Sequence, residues 1–318
     1  MDAVTDVSIW MWLGFSAIVL TILAFDLGVF HKEQRAIGEA EALKLSGLYV
    51  ALAMIFAGWV FWQFGQQKGL EFLTGYVIEW SLSLDNIFVI ALIFSAFAVP
   101  PQYQHRVLFW GILGALIMRL IMILAGTALI MEFRWIVYVF GAFLIVTGIK
   151  MLFASDEPQD VSKNWVVKWV RNHFPVTDAY HGEKFWVRQN GVWALTPLFL
   201  ALIMVEVTDL VFAVDSIPAI FAITTDPFIV YTSNVFAILG LRALYFALAG
   251  VIRRFKYLKY GLALVLVVVG TKMTLVDIWK MPTLLALGIT VSLIGGSILY
   301  SLYRTRGDAL PAQPRAAE

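Results

Sequence analysis

Long apolar segments separated by short polar stretches make up most of the chain. Each is long enough for a helix that crosses a bilayer, which takes about 20 residues. The segments are continuous, whereas the strands of a membrane barrel alternate apolar and polar residues. The pattern therefore predicts an all-α polytopic membrane protein with about nine transmembrane helices. The expected helices cover residues 8–30, 45–62, 71–98, 107–130, 135–153, 194–222, 228–250, 260–278 and 281–303.

Two groups of three predicted helices repeat the same order of polar residues. Residues 138–151 (YVFGAFLIVTGIKM) align without gaps to residues 260–273 (YGLALVLVVVGTKM), and each group carries one mid-helix arginine, Arg119 or Arg242. Because three is odd, the second group must enter the membrane from the opposite side, which makes an inverted repeat of two three-helix units. The alternative is that apolar helices resemble one another through composition alone.

The repeat divides the chain into six parts. They are two N-terminal transmembrane helices (1–70), the first three-helix repeat (71–153), a cytoplasmic loop (154–193), the second three-helix repeat (194–278), a last transmembrane helix (279–306) and a disordered tail (307–318). In the loop, the shared face of Trp165, Val166, Trp169 and Val170 predicts a helix on the membrane interface. Asn190-Gly191, between apolar stretches, predicts a hairpin.

Lys and Arg are distributed unevenly between the predicted loops. With the N-terminus outside, the inside segments hold 16 of them and the outside segments hold 3. The positive-inside rule then predicts a multi-pass protein of a bacterial inner (plasma) membrane, with the N-terminus outside and the C-terminus cytoplasmic. The net charge of +1 indicates no nucleic-acid partner. The chain has no cysteine, which excludes disulfides, thiolate ligands and cysteine redox chemistry.

Two apolar segments carry carboxylates in their middle, EWSLSLDN (79–86) and EVTDLVFAVDS (206–216). A charge at the bilayer centre costs at least about 2.5–3.5 kcal/mol, so these acids are expected to bind something. The candidate metal ligands are Glu79, Asp85, Asn86, Glu206, Asp209, Asp215 and Ser216. Their oxygens suit Mg²⁺, Ca²⁺ or Mn²⁺ better than Cu or Zn. The alternative is that the acids only pair with Arg119 and Arg242.

A straight helix cannot aim all of these acids at one point. Residues seven apart share a helical face, whereas Asp85 lies six residues after Glu79 and Asp215 lies six residues after Asp209. Local unwinding is therefore expected near both aspartates. Pro218 favours it in the second segment, because proline has no N–H to donate to the carbonyl of Val214.

Four further polar residues at membrane depth are candidates for gating or charge pairing: Asp26, Arg119, Asn234 and Arg242. Asp26 is either a gate or proton relay, or a partner of the basic residues that follow it. Asn234 is either a helix-packing hydrogen bond or a ligand of the site.

The motifs SLSLDNIFVI (81–90) and VEVTDLVFAVDSIPAIFA (205–222) resemble the TerC family of integral membrane proteins, which is named for tellurium resistance. TSNVFAILGLRALYF (232–246) and GTKM (270–273) extend the resemblance, which is particularly close to the Alx-like branch. The resemblance implies a fold related to the LysE exporter superfamily, with two inverted three-helix units, and export of Mn²⁺ from the cytoplasm. It implies the same seven ligands as the carboxylate segments.

The sequence thus predicts a transporter that exports a divalent metal through a midplane carboxylate site, by exchange for protons. Its partners are the divalent cation and the lipid bilayer. No enzymatic activity, catalytic residue or cofactor is expected, and no P-loop is present to supply ATP energy. One alternative is a membrane-protein assembly scaffold that docks through loop 154–193. Another is tellurium-oxyanion resistance with Arg119 and Arg242 as anion ligands, which the surplus of acids disfavours.

Overall fold

The computed structural model describes residues 7–30, 39–153, 164–189, 191–248, 257–279 and 281–305. Its elements are α1 (Ile9–Phe30), α2 (Glu39–Ala96), α3 (Pro101–Glu132), α4 (Ile136–Phe153), α5 (Trp165–His173), β1 (Trp186–Gln189), β2 (Val192–Leu195), α6 (Pro197–Phe221), α7 (Pro227–Leu239), α8 (Leu241–Leu248), α9 (Leu258–Thr274) and α10 (Thr283–Arg304). In the described part of the chain, six helical segments are long and apolar enough to cross a membrane. The prediction of a mostly helical chain with several such helices is confirmed.

The longest helix, α2, reverses direction at Gly65. The backbone there has φ 83° and ψ 177°, a conformation that is essentially restricted to glycine. The rings of Phe56 and Phe72 lie 5.4 Å apart, although a straight helix would separate residues 16 apart by about 24 Å. We therefore treat α2 as two arms, α2a (39–64) and α2b (66–96), which correspond to the second and third predicted helices. The turn takes one residue, whereas the sequence predicted a connector of several.

Helices α7 and α8 follow one another end to end through the centre of the protein. Every residue from 232 to 245 is buried. Arm α2b runs alongside them in the same direction: Gly75 faces Ser233 near the start, and the rings of Phe94 and Tyr245 are 5.5 Å apart near the end. A helix that is apolar and buried on all sides can carry polar groups only where other helices supply partners for them.

Helices α3 and α6 also run parallel and in close contact. Gly111 lies against Val205, and Gly126, further along α3, lies against Phe221, further along α6. The absence of a side chain at both glycines lets the larger residues of α6 approach the α3 backbone. The acidic segment of α6 is thereby held against the middle of α3.

Helices α4 and α9 pack antiparallel. Gly141 lies against the backbone carbonyl of Gly270, whereas Gly148 lies against that of Ala263, so the position rises along α4 as it falls along α9. A Cβ atom at Gly141 or Gly148 would come within 2.9 or 2.7 Å of those oxygens. The seam between α4 and α9 therefore depends on glycine. Helix α9 also packs against α10.

Helix α5 divides the apolar face that the sequence predicted. The side chain of Asn164 caps the helix by accepting from the backbone N–H of Val166, and Val166, Val167 and Val170 are buried against the protein. Trp165 remains 74% exposed, and Trp169 is exposed as well. The valines therefore attach the helix to the protein, and only the tryptophans are free to meet another surface.

A two-stranded hairpin follows α5. Strands β1 and β2 pair antiparallel from Trp186 opposite Leu195 to Gln189 opposite Val192. Gly191, in the turn, has φ 82°, which glycine adopts at no steric cost. The Asn-Gly signal in the sequence therefore coincides with a turn of the expected kind.

The local unwinding predicted near Asp85 and Asp215 is wrong. Both α2b and α6 are continuous helices through those positions. Pro218 lies only three residues before the end of α6 at Phe221, so its missing N–H removes one hydrogen bond from the last turn of the helix. Proline can break a helix in its middle, but this one lies where the helix is about to end.

Candidate functional site

Arg119 lies at the centre of a buried polar cluster. Helix α3 places its guanidinium, 1% exposed, among α2b, α6 and α7. The Nε and Nη2 groups donate to the two oxygens of Asp209 at 3.2 and 3.0 Å, and Nη1 donates to Glu79. Bidentate bonds between arginine and a carboxylate are among the stronger polar contacts in proteins. Arg119 thus joins an acid of α2b to an acid of α6.

Two neutral groups complete this arrangement. Nη1 also donates to the hydroxyl of Ser216 at 3.3 Å and to Oδ1 of Asn234 at 3.2 Å. We call Arg119, Glu79, Asp209, Ser216 and Asn234 the Arg119 cluster. It contains three of the predicted ligands, and it places Asn234 at the site rather than at a separate helix contact. The alternative in which the acids pair with an arginine is correct for Glu79 and Asp209.

The cluster has bonding capacity that its own members do not use. Two carboxylates share one guanidinium, which leaves one negative charge in excess when both are ionised. Among the described residues, Oε2 of Glu79 and Nδ2 of Asn234 have no hydrogen-bond partner. Leaving a buried polar atom unpaired costs about 1–3 kcal/mol, so both atoms would gain from a further partner.

A cavity of about 30 Å³ lies beside the cluster, between α2b, α3, α6 and the junction of α7 with α8. A water molecule needs about 10–15 Å³ by the same measure, so the space suits one small ligand. Most of its lining is apolar, and the polar part comes from Asn86, Thr208 and Asp209. Asn86 is 4% exposed, and its Oδ1 has no partner among the described residues. Asp209 belongs to both places, because it binds Arg119 and lines the cavity.

The other described acids of the predicted site lie elsewhere. Glu206 packs against Gly114 on α3, where only a glycine leaves room for the carboxylate, and its Oε2 has no partner in the described structure. Asp215 is half-buried and hydrogen-bonds to Thr147 on α4. Neither acid is a partner of Arg119.

The remaining candidates are less informative. Arg242 is buried on α8. The side chains of Asp26 and Asp85, like the predicted tail 307–318, lie outside the described residues. Within the described ranges, no three His, Cys, Asp or Glu side chains converge as they do around a bound metal. The predicted ligands therefore divide among neighbouring places instead of meeting at one point.

Sequence reasoning missed a second buried group of charges, which we call the Lys68 cluster. Nζ of Lys68 lies 3.0 Å from Oε2 of Glu71 and 3.3 Å from Oδ2 of Asp226, and all three residues are buried. Gln67 donates to Glu71 and to Thr283, both at 3.0 Å, which ties α2b to α10. The i,i+3 spacing of Lys68 and Glu71 was a visible signal. Nothing in the sequence connected that pair to Asp226.

The family whose sequence pattern matches this chain is described as "Integral membrane protein TerC family", and the match covers residues 64–309. The chain belongs to the TerC family. The matched region begins beside the Gly65 turn and includes every helix from α2b onward, so both clusters lie within the matched region. The resemblance noted from the motifs is confirmed, and the protein is a multi-pass membrane protein with several apolar helices.

Three relatives are similar over nearly their whole length. "Uncharacterized membrane protein STKORF319" of Myxococcus xanthus is 51% identical over 296 residues, 93% of each chain. "Putative membrane-bound redox modulator Alx" of Escherichia coli (strain K12) is 47% identical over 293 residues, 89% of this chain and 91% of that one. An "Uncharacterized membrane protein" of Rickettsia felis is 43% identical, over 92% and 97%. These names describe no enzyme. No solved structure matches the chain.

Proposed function

We propose that this TerC-family protein is a secondary transporter that exports a divalent metal, Mn²⁺ in particular, from the cytoplasm in exchange for protons. The observation that carries the proposal is the double position of Asp209, which pairs with Arg119 and lines the cavity. Asn86 and Thr208 also line the cavity, and Oδ1 of Asn86 has no partner in the described structure. Such hard oxygen donors suit Mg²⁺, Ca²⁺ and Mn²⁺, and the family resemblance favours Mn²⁺ among them.

We further propose that the two three-helix units are inverted copies of each other. In the sequence alignment Gly148 is equivalent to Gly270, and Gly141 to Ala263. In the structure Gly141 contacts Gly270 and Gly148 contacts Ala263. When each residue is exchanged for its equivalent in the other unit, the first contact becomes the second. A two-fold axis between α4 and α9 produces such pairs. The parallel packing of α2b on α7 and of α6 on α3 follows the same rule.

The orientation follows from the distribution of basic residues. The N-terminus faces outside, and α5 and the hairpin lie in the cytoplasm with Trp165 and Trp169 against the membrane interface. Cysteines introduced singly at exposed Gln66 and Gln189 test this without background, because the chain has none. A membrane-impermeant reagent should label them from opposite sides. Labelling of both from one side would reject the orientation and the number of crossings.

The Escherichia coli relative is named a redox modulator, and any such role here would have to work without thiols, because this chain contains no cysteine. Metal transport requires only the oxygen donors that the structure describes. The presence of buried carboxylates at membrane depth therefore favours the transport function.

The proposal is tested by Mn²⁺ flux in vesicles that contain the purified protein, with a pH gradient imposed or absent. Asp209→Asn keeps the shape of the side chain and removes its charge, so it should abolish flux. Asp178→Asn is the control, since Asp178 is exposed outside the helices and should behave as the natural protein does. Competition by Mg²⁺ and Ca²⁺ measures selectivity. Flux equal to that of protein-free vesicles would reject transport.

The same assay separates transport from the scaffold function. Replacing residues 185–193 with a flexible linker should reduce folded yield more than ion selectivity, because none of these residues lines the cavity. If the Asp209→Asn variant transports normally while the linker variant alone loses function at normal yield, the result would support the assembly scaffold instead of the transporter.

A further inference from the structure

We propose that Arg119 is a tethered counter-ion that alternates with the transported metal on Glu79 and Asp209. This inference rests on the proposed transport function and adds how the site is neutralised when the metal has left. In the structure, the guanidinium is the cation held between these two carboxylates. The first acid comes from α2b and the second from α6, so a metal that binds both must displace Arg119 from them.

The charges favour one cation at a time. Two ionised carboxylates with the guanidinium alone carry a net charge of −1, and with a divalent ion alone they are neutral. Both cations together would place repelling charges within a few ångströms of each other in a region of low dielectric constant, where Coulomb energies are large. With no cation bound, two buried carboxylates would be unpaired, which is also costly. The site therefore accepts the guanidinium or the metal, but not both.

The geometry gives the metal a point of entry. Asp209 is 13% exposed at its side chain, whereas Glu79 and Arg119 are each 1% exposed, and of the three only Asp209 lines the cavity. An ion in the cavity meets Asp209 first, with the unpartnered Oδ1 of Asn86 as a second ligand. Oε2 of Glu79, also unpartnered, is available once Asp209 changes partner.

The displaced guanidinium keeps polar partners. Ser216 and Asn234 already accept hydrogen bonds from Nη1, and neither carries a charge. Because the same Nη1 also binds Glu79, the guanidinium must turn away from both carboxylates, and a hydrogen bond kept to one of these neutral groups lowers the cost of that movement. A lysine at this position would have fewer donors in a less fixed arrangement and would retain these contacts less well.

Arg119 matters most in the step in which the metal-free site turns back to bind another ion. Net export requires the site to reorient without metal. A proton taken up in exchange on one carboxylate and the guanidinium of Arg119 on the other then leave no net charge to move. Exchange of metal for metal never requires that step. A tethered counter-ion is therefore needed for net efflux and dispensable for exchange, whereas an arginine that only ties the two halves together is needed equally for both.

The test compares Arg119→Gln with the natural protein in three measurements: Mn²⁺ binding by titration calorimetry, net Mn²⁺ efflux from vesicles, and exchange of radioactive for unlabelled Mn²⁺. We expect binding to tighten by about tenfold, within the usual range of coupling between two competing ligands. Net efflux should fall to the background rate while exchange persists. Arg119→Lys should retain part of the net efflux. Arg106→Gln, which breaks a cytoplasmic ion pair with Glu183 at 2.9 Å, is the matched control and should leave all three unchanged.

Weaker Mn²⁺ binding by Arg119→Gln, or equal loss of efflux and exchange, would overturn the inference. If Arg119→Gln does not fold, Arg119→Lys decides: tighter binding with reduced net efflux supports the tethered counter-ion, and unchanged or weaker binding rejects it. Failure of the transport function itself gives a different result, because the natural protein would then neither bind nor move Mn²⁺.

Discussion

The Arg119 and Lys68 clusters have the same charges but differ in how many of their polar atoms remain unpaired. Each is a buried basic residue held by two carboxylates, the first from α2b and the second from the half of the chain that begins with α6. In the Lys68 cluster Oε2 of Glu71 is held by the ion pair with Lys68 at 3.0 Å and makes no hydrogen bond among the described residues. Glu71 accepts a hydrogen bond from Gln67 and forms an ion pair with Lys68. Asp226 also forms an ion pair with Lys68, and it accepts hydrogen bonds from the backbone N–H groups of Phe228 and Ile229 at the start of α7.

In the Arg119 cluster and its cavity, more polar atoms remain unpaired within the described structure. Oε2 of Glu79, Oδ1 of Asn86 and Nδ2 of Asn234 are buried without a partner, and none of these three atoms has an ion pair of its own. The difference between the clusters is one of degree. It agrees with a structural role for the Lys68 cluster and with the ligand site proposed at the Arg119 cluster.

The largest expected effect is the loss of the cation from the Lys68 cluster. Lys68→Met removes the charge and keeps much of the length, which leaves Glu71 and Asp226 buried without their common partner. We expect unfolding in detergent to become easier by about 3–5 kcal/mol, as for a broken buried ion pair. Mn²⁺ should not restore the melting temperature. In Arg119→Gln, by contrast, Mn²⁺ should raise it, because a ligand that binds the folded state stabilises it. Equal rescue of both variants would remove the distinction between the clusters.

The next effect concerns transport and uses one acid from each cluster. Glu79→Gln should lower Mn²⁺ efflux by about 10- to 100-fold, as expected for the loss of a charge-assisted contact worth about 1.5–3 kcal/mol. Glu71→Gln should lower stability and leave efflux per folded molecule nearly unchanged. Efflux is measured in vesicles and normalised to folded protein. If Glu71→Gln impairs efflux as strongly as Glu79→Gln, the Lys68 cluster is also part of the transport path.

The sequence predicted much of this because membrane helices and their buried acids are visible in one dimension. The apolar segments coincide with the helices, and the motifs at 79–86 and 206–216 contain Glu79, Asn86 and Asp209. It was undecided about Asn234, because the hydrogen bond that places it at the site comes from Arg119, 115 residues earlier.

Other features required the three-dimensional packing. Asp226 reads as an ordinary helix cap, and only the folded chain brings Lys68 to it. Val166 and Trp165 are both apolar, so the pattern could not separate the residue that packs on the protein from the one that stays exposed. The error at Pro218 has the same origin, since the effect of a proline depends on where its helix ends.

A smaller effect tests the seam at which the two halves meet without charge. Gly148→Ala and Gly270→Ala would each bring a Cβ to 2.7 Å from a backbone oxygen of the opposite helix, which cannot yield as a flexible side chain can. We expect each to destabilise the protein by about 1–3 kcal/mol, as overpacking does, and by similar amounts if the two positions are related by a two-fold axis. Gly58→Ala has open space around it and is the control. Thermal unfolding in detergent measures all three, and strongly unequal losses would argue against the axis.

The smallest effect is expected for the ion pair at the N-terminal end of α3. Nη1 of Arg106 lies 2.9 Å from Glu183, and its guanidinium also lies over the ring of Phe185 at 5.2 Å. The side chains are 32% and 19% exposed, so water and salt screen the pair far more than either buried cluster. Glu183→Gln should therefore cost only about 0.2–1 kcal/mol, and less at high salt. Denaturation at two salt concentrations measures this. A loss comparable to that of Lys68→Met would show that burial does not explain the difference in stability between this exposed ion pair and the two buried clusters.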